Sequence, residues 1–250
     1  MPRARLIGLP LAFALMAEPG AAAVGCERAS GAAATIAAIE AGRADFVLAA
    51  HRACWDKNLR TGGVPENSLL ALETCKALGV EIAEIDIRLS RDGRLMVFHD
   101  AALMRMTSRQ GLVGDFDMSV LTGFRLEQGD GAGRAKRTRQ RIPTFTQALE
   151  IAGDRLVLAI DAKEDAIRHL ALEEARRIGA IDRIFFILPA GPEFLAEAEA
   201  LVASGAKVRL TVSPDHWRSG AEAIAAVARL DPIAVAISRK DPSFFKAAVE

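Results

Sequence analysis

Short apolar runs that end abruptly in charged or polar groups constrain this chain more than any other feature. Phe46-Val47-Leu48-Ala49-Ala50 ends in His51-Arg52, the run from Glu81 to Leu89 contains Glu84-Ile85-Asp86, and Val97-Phe98 ends in His99-Asp100. Apolar runs of this length bounded by turn residues read as buried strands. Between the first two lies a helix over 65–79, with Asn67 or Ser68 to cap its start, Leu69, Ala71, Leu72 and Leu78 as its apolar stripe, and Gly79 to end it. Strand, helix and strand with short connections imply a parallel sheet, and polar groups at the C-terminal ends of such strands are where an α/β barrel keeps its chemistry.

The alternation continues beyond residue 142. Strands are expected at Leu156 to Lys163, Ile184 to Leu188, Val208 to Val212 and Ile233 to Ile237. Helices are expected at Ala166 to Ile178, Pro192 to Ser204 and Ala221 to Leu230, with a last one at the chain end. A short helix over 30–44 precedes the first strand. Residues 101–145 break the pattern with no evident barrel strand, and their basic run, Arg134, Lys136, Arg137, Arg139 and Arg141, reads as a solvated flexible loop, with contact to anionic lipid or phosphate as the alternative.

Side chains two apart on a strand share a face, so Glu84 and Asp86 point one way while Ala83, Ile85 and Ile87 point the other. The apolar set suits packing against helices, which leaves the carboxylates facing the barrel axis. Asp161 and Lys163 repeat the arrangement, with Ile160 opposite. Carboxylates aimed into a barrel are costly to bury unpaired. A divalent cation would relieve that cost, and oxygen ligands without cysteine or clustered histidine favour Ca²⁺ or Mg²⁺ over zinc. Ion pairs with Arg52, Arg88 or Lys163 are the structural alternative.

His51-Arg52, Pro65-Glu66-Asn67-Ser68, Glu84-x-Asp86, Asp92-Gly93 and His99-Asp100 together resemble the glycerophosphodiester phosphodiesterase family. Ile142-Pro143-Thr144 is similar to that family's entry to a helix. The resemblance implies a TIM-type (β/α)8 barrel over 43–250 with a small insertion after the second strand, at about 101–145. It implies His51 and His99 as general acid and base, Arg52 and Lys163 as phosphate-binding cations, and Glu84, Asp86 and Asp161 as metal ligands. Asp161 stands where the family often has glutamate. Glu66 and Asn67 would orient Arg52 or the metal. The implied reaction is hydrolysis of glycerophosphodiesters to glycerol 3-phosphate and an alcohol, by attack of the neighbouring glycerol hydroxyl and opening of a cyclic phosphate. Six strands are found where a closed barrel needs eight. The family's last two strands have no counterpart, so the chain is expected to be incomplete at its C-terminus.

Arg3 and Arg5, the apolar stretch Leu6 to Ala17 and Ala21-Ala22-Ala23 have the layout of a secretory signal peptide over 1–25. Export to the periplasm or medium is therefore expected. Ala23-Val24-Gly25-Cys26 resembles a lipobox, so membrane association is expected only through a lipidated Cys26. Export would let Cys54 and Cys75 form a disulfide, and two small buried thiols are the alternative. With 32 basic and 32 acidic residues, the chain has no global field to attract nucleic acid, and a small-molecule phosphodiester is the expected partner. Asp215-His216-Trp217 and Trp55 are weaker pocket candidates, and His169 reads as structural.

Overall fold

A computed structural model describes residues 31–43, 46–57, 63–133, 135–164, 167–237 and 241–249. The expected signal peptide, Cys26 and Arg134 lie outside the described residues. The elements in chain order are α1 (Ala32–Glu40), β1 (Ala49–Ala50), α2 (Leu69–Leu78), β2 (Ile82–Leu89) and β3 (Leu95–Val97). The insertion follows, with α3 (Met104–Thr107), α4 (Met118–Leu121), β4 (Arg125–Glu127) and β5 (Arg137–Arg141). The alternation resumes with α5 (Phe145–Ala152), β6 (Val157–Ala162), α6 (Ile167–Arg177), β7 (Ile184–Pro189) and α7 (Leu195–Ala203). It ends with β8 (Val208–Val212), α8 (Gly220–Ala228), β9 (Ala234–Ile237) and α9 (Pro242–Val249).

Six parallel strands curl in the order β1-β2-β6-β7-β8-β9, the six that the alternation predicts. Among the described residues the sheet stays open, with β1 paired only to β2 and β9 only to β8. Its helix-facing side is the main core. There Ile85, Ile87, Leu158, Ile160, Phe186 and Leu210 pack against Leu72, Cys75, Phe145 and Leu172 of the helices. On the inner side, Ile82, Val157, Ala159 and Phe185 pack on Ala32 and Ile36. Helix α1 therefore lies against the N-terminal end of the sheet's inner face, and polar chemistry is left to the other end.

Local sequence explains the helix ends. The Ser68 hydroxyl accepts from the Ala71 N–H at 3.1 Å, and Gly79 closes α2 at φ 71°. Thr144 and Gln147 form a capping box that starts α5 immediately after Ile142-Pro143. Leu78 departs from expectation. Ala71, Leu72 and Cys75 fill the buried stripe, and Leu78, at 68% exposure, falls on the solvent side of the last turn.

Cys54 and Cys75 are joined as a disulfide, with Cα atoms 5.1 Å apart. It spans 21 residues of sequence and ties the segment after β1 to α2. Closing a loop of this size restricts the unfolded chain by about 3 kcal/mol. The C54A/C75A variant is expected to lose about that much stability in urea denaturation, and reductant is expected to move the wild-type midpoint toward the variant's.

Two expectations need correction. The buried strand ending at Val97 forms, but it does not run parallel to the others: β3 pairs antiparallel with β2 through the Asp92-Gly93 turn. A connection that short permits only a hairpin. The basic segment is likewise not a flexible loop. Arg137–Arg141 is strand β5, antiparallel to β4 in a separate two-stranded sheet. Exposed arginines alternate there with half-buried Thr138 and Gln140. The insertion has its own core of Met96, Phe98, Leu103, Met106, Val113, Leu121, Leu126 and Ile142, which is what orders it.

Candidate active site

Parallel register builds the centre of the site. Asp86 on β2 lies directly across from Asp161 on β6, with Glu84 one inward position before it. Their carboxylate oxygens come within 4.8 Å of one another. The expected metal ligands are thus brought together on the inner face, as the period-two pattern predicts. Three carboxylates this close together could hold a divalent cation.

Each carboxylate is held differently. Asp86 is fully buried, and its Oδ2 accepts from Asn67 Nδ2 at 2.6 Å while its own N–H donates to Asn67 Oδ1 at 3.1 Å. Glu84 Oε2 accepts the backbone N–H of Arg52 at 2.6 Å. Burial first, then the Asp86 carboxylate and more weakly that of Asp161, push Glu84 up to about 8, against the pull of the Arg52 N–H and Lys163. Lys163 Nζ lies 2.6 Å from Asp161 Oδ2 and 2.7 Å from Asp86 Oδ1. Burial opposes its charge, but those two carboxylates more than offset it and raise its pKa. Of the ion pairs weighed as an alternative for Glu84 and Asp86, those of Asp86 with Lys163 and Arg52 do form, and Lys163 is shared with Asp161.

The loop after β1 supplies His51 and Arg52. Arg52 and Ala53 both take positive φ, 55° and 62°, a conformation L-residues adopt at a cost. Hydrogen bonds hold them there: Ala53 N–H donates to Glu84 O, and Asn67 N–H donates to Arg52 O. The Arg52 guanidinium lies against both Glu66 oxygens at 3.0 and 3.2 Å, with Nε 3.8 Å from Asp86. Glu66 and Asn67 thus orient Arg52 and Asp86 respectively. His51 is largely exposed, with Nε2 4.0 Å from Glu84 Oε2. Burial and then the neighbouring Arg52 charge lower its pKa, and His99 adds a smaller push in the same direction.

His99 follows β3, with Nδ1 2.6 Å from Asp100 Oδ1. Arg105 of α3 grips both oxygens of Asp100 at 2.6 and 2.9 Å and also donates to Glu66 at 2.6 Å. The Arg105 hydrogen bond is the main reason Asp100 is held down to about 2. A carboxylate lowered in the folded state stabilises the fold above its unfolded pKa of about 4. That stabilisation is lost as pH falls through about 2. D100N is therefore expected to be less stable than wild type at neutral pH, with the gap in urea midpoint closing between about pH 4 and pH 2.

Two site residues escaped the sequence reading. Arg105 sits between Met104 and Met106 in an insertion without strand periodicity, and only the fold brings it beside Glu66. Arg209 could have been found, because it interrupts the apolar run of β8. Register carries Asp86 to Asp161, then Ile187, then Arg209, so the arginine shares their layer. Its Nε is buried without a hydrogen-bond partner among the described residues, and burial lowers its pKa against the pull of Glu84 and Asp161. The weaker candidates remain outside the cluster. His216 pairs with Glu193 at 2.9 Å and Trp217 donates to Ala190 O, so this loop ties two strand ends together. Lys57 Nζ lies 5.4 Å from the centre of the Trp55 ring, and His169 is exposed on α6.

The sequence pattern of the Glycerophosphoryl diester phosphodiesterase family matches residues 51–184, which include every residue of the expected site. A glycerophosphodiester phosphodiesterase of Caldanaerobacter subterraneus subsp. tengcongensis is 33% identical over 112 residues, 44% of this chain and 45% of that protein. One of Bacillus altitudinis is 32% identical over 117 residues, 45% of this chain and 46% of that protein. The chain thus matches about half the length of these relatives. The fold is shared with a glycerophosphodiester phosphodiesterase crystal structure from Agrobacterium tumefaciens. The TM-score is 0.58 at 24% identity, over 81% of this chain and 82% of that one. A second, from Parabacteroides distasonis, gives a TM-score of 0.59 at 17% identity, over 81% and 79%. With more than half its length matching the family pattern, the chain belongs to the glycerophosphoryl diester phosphodiesterase family.

Proposed function

We propose that the chain hydrolyses glycerophosphodiesters to glycerol 3-phosphate and an alcohol. The observation that carries this reading is the convergence of His51, Arg52, Glu84, Asp86, His99, Asp161 and Lys163 within the family-matching segment. A phosphodiester resists attack because its anionic oxygens repel a nucleophile, so the site must neutralise charge, take one proton and give another. Glu84, Asp86 and Asp161 would hold a divalent cation, Ca²⁺ or Mg²⁺, which when bound supplies positive charge to the phosphate oxygens.

The remaining work falls to the chain itself. Arg52, steadied by Glu66, offers a planar fork to phosphate oxygens, and Lys163 offers a point charge. His51 and His99 divide the two proton transfers, one accepting the proton of the attacking glycerol hydroxyl and the other protonating the leaving alkoxide; water then opens the resulting cyclic phosphate with the two roles exchanged. With Asp100 engaging Nδ1 of His99, Nε2 is the atom left to exchange a proton with substrate. Arg105 fixes Asp100 and so acts on His99 as a positioning residue.

The test is release of glycerol 3-phosphate from glycerophosphocholine by folded protein. Release is expected to stop with EDTA and return with Ca²⁺ or Mg²⁺. No release from folded, metal-loaded protein would sink the assignment. Export is part of the same proposal, supported by the Cys54–Cys75 disulfide, since such bonds persist in oxidising compartments. Mass spectrometry of the mature N-terminus in a periplasmic extract checks it, and an unprocessed protein confined to the cytosol would refute it.

A further inference from the structure

The insertion contains a cavity of about 180 Å³ lined by Thr107, Arg109, Gly123, Arg125, Arg137 and Arg141. Four of these six residues are arginines, and none of the six is a carboxylate. The register of the small sheet makes the crowding specific: Arg125 on β4 is the direct cross-strand partner of Arg141 on β5. Like charges placed directly opposite destabilise a strand pair. The acid at the edge of the group, Glu127, is buried, accepts from Ser108 at 2.8 Å and lies 3.8 Å from Arg137.

Two of the arginines are already positioned. Arg141 donates through Nη1 to Gly123 O at 2.6 Å, and the Arg109 guanidinium carbon lies 5.4 Å from the centre of the Phe124 ring. Guanidinium forks held in this way match the oxygens of a tetrahedral anion. Helix α3 joins this place to the chemistry, since it carries Arg105 to Asp100 and Glu66 while Thr107 and Arg109 lie at the cavity.

We propose that this arginine cavity is a second anion site, separate from the carboxylate centre, that takes one phosphate group, either of a free phosphate ester or of an anionic lipid headgroup. The bound anion offsets the Arg125–Arg141 repulsion, so the site is ordered by what it binds. The arginine site does not depend on the reaction proposed above; only the second phosphate class in the test, the one that R52Q weakens, rests on it.

Titration calorimetry of the full chain with inorganic phosphate at low ionic strength tests it. Wild type is expected to show two classes of site. R125Q/R141Q is expected to weaken one of them by roughly tenfold or more, the scale of a single lost charge-assisted hydrogen bond. R52Q is expected to weaken the other. In phosphate-free buffer the double variant should melt no lower than wild type, because the substitution removes a repulsion. If it melts lower, R109Q is titrated in its place. Phosphate binding that is unchanged in the folded variant, or a single class abolished by R52Q, overturns the proposal. Sedimentation with phosphatidylcholine vesicles, with and without phosphatidylglycerol, separates the two sources. Capture by the anionic vesicles that R125Q/R141Q abolishes assigns the headgroup, and phosphate binding without capture assigns the free ester.

Discussion

Replacing His51 with alanine is expected to lower turnover of glycerophosphocholine by about 10²–10⁴-fold, the usual worth of one positioned acid or base. The fold should be indifferent to the change, because the His51 side chain is 69% exposed and its ring is not part of any core cluster. Circular dichroism and urea midpoint should therefore match wild type while activity collapses. His99→Ala should cost a similar factor, and the double variant little more, because residues that act as a unit are not additive. The p-nitrophenyl ester of glycerol phosphate, which keeps the attacking hydroxyl, separates the roles. Its leaving group departs without a proton, so the variant that lacks the general acid recovers most of its activity and the one that lacks the base does not. Unchanged turnover in both single variants would remove the two-histidine mechanism.

Asn67→Ala is expected to cost roughly 2–5 kcal/mol of stability, the largest loss of any single substitution at the site. Two effects add. Asn67 occupies the left-handed region at φ 53°, where alanine is less at ease by roughly 1–2 kcal/mol. It also exchanges two hydrogen bonds with Asp86, and their loss leaves a fully buried carboxylate and N–H short of partners, worth roughly 1–3 kcal/mol. Asn67→Gly separates the contributions, since glycine accepts the backbone angle but restores neither bond. Urea denaturation should place glycine between wild type and alanine. Equal midpoints for the two variants would mean that backbone strain contributes nothing.

Much of this was legible in the sequence because it rests on short periods. Six strands, the helices between them and the inward direction of Glu84, Asp86 and Asp161 follow from alternation and capping, which are local rules. Arg105 was not legible, because its role depends on how the insertion packs around Met106 and Leu126 to bring α3 beside Glu66. The β4–β5 sheet was hidden for a different reason. Its strands are three and five residues long, and arginines at alternate positions mask the half-buried Thr138 and Gln140. Leu78 shows the opposite error, an apolar residue assigned to a stripe whose last core position belongs to Cys75.

The loop that carries His51 is strained at Arg52 and Ala53, and one of the bonds that holds it ends on the Glu84 carboxylate. That oxygen therefore serves two masters, the backbone of the loop and whatever ligand the carboxylates bind. Reciprocity follows from linkage. A ligand that draws Glu84 closer must loosen or reinforce the turn at Arg52, and any change that relaxes the turn must alter affinity at Glu84 by the same factor. Occupancy of the carboxylates and the posture of the His51 imidazole are then coupled, and substitutions at Ala53 can tune both.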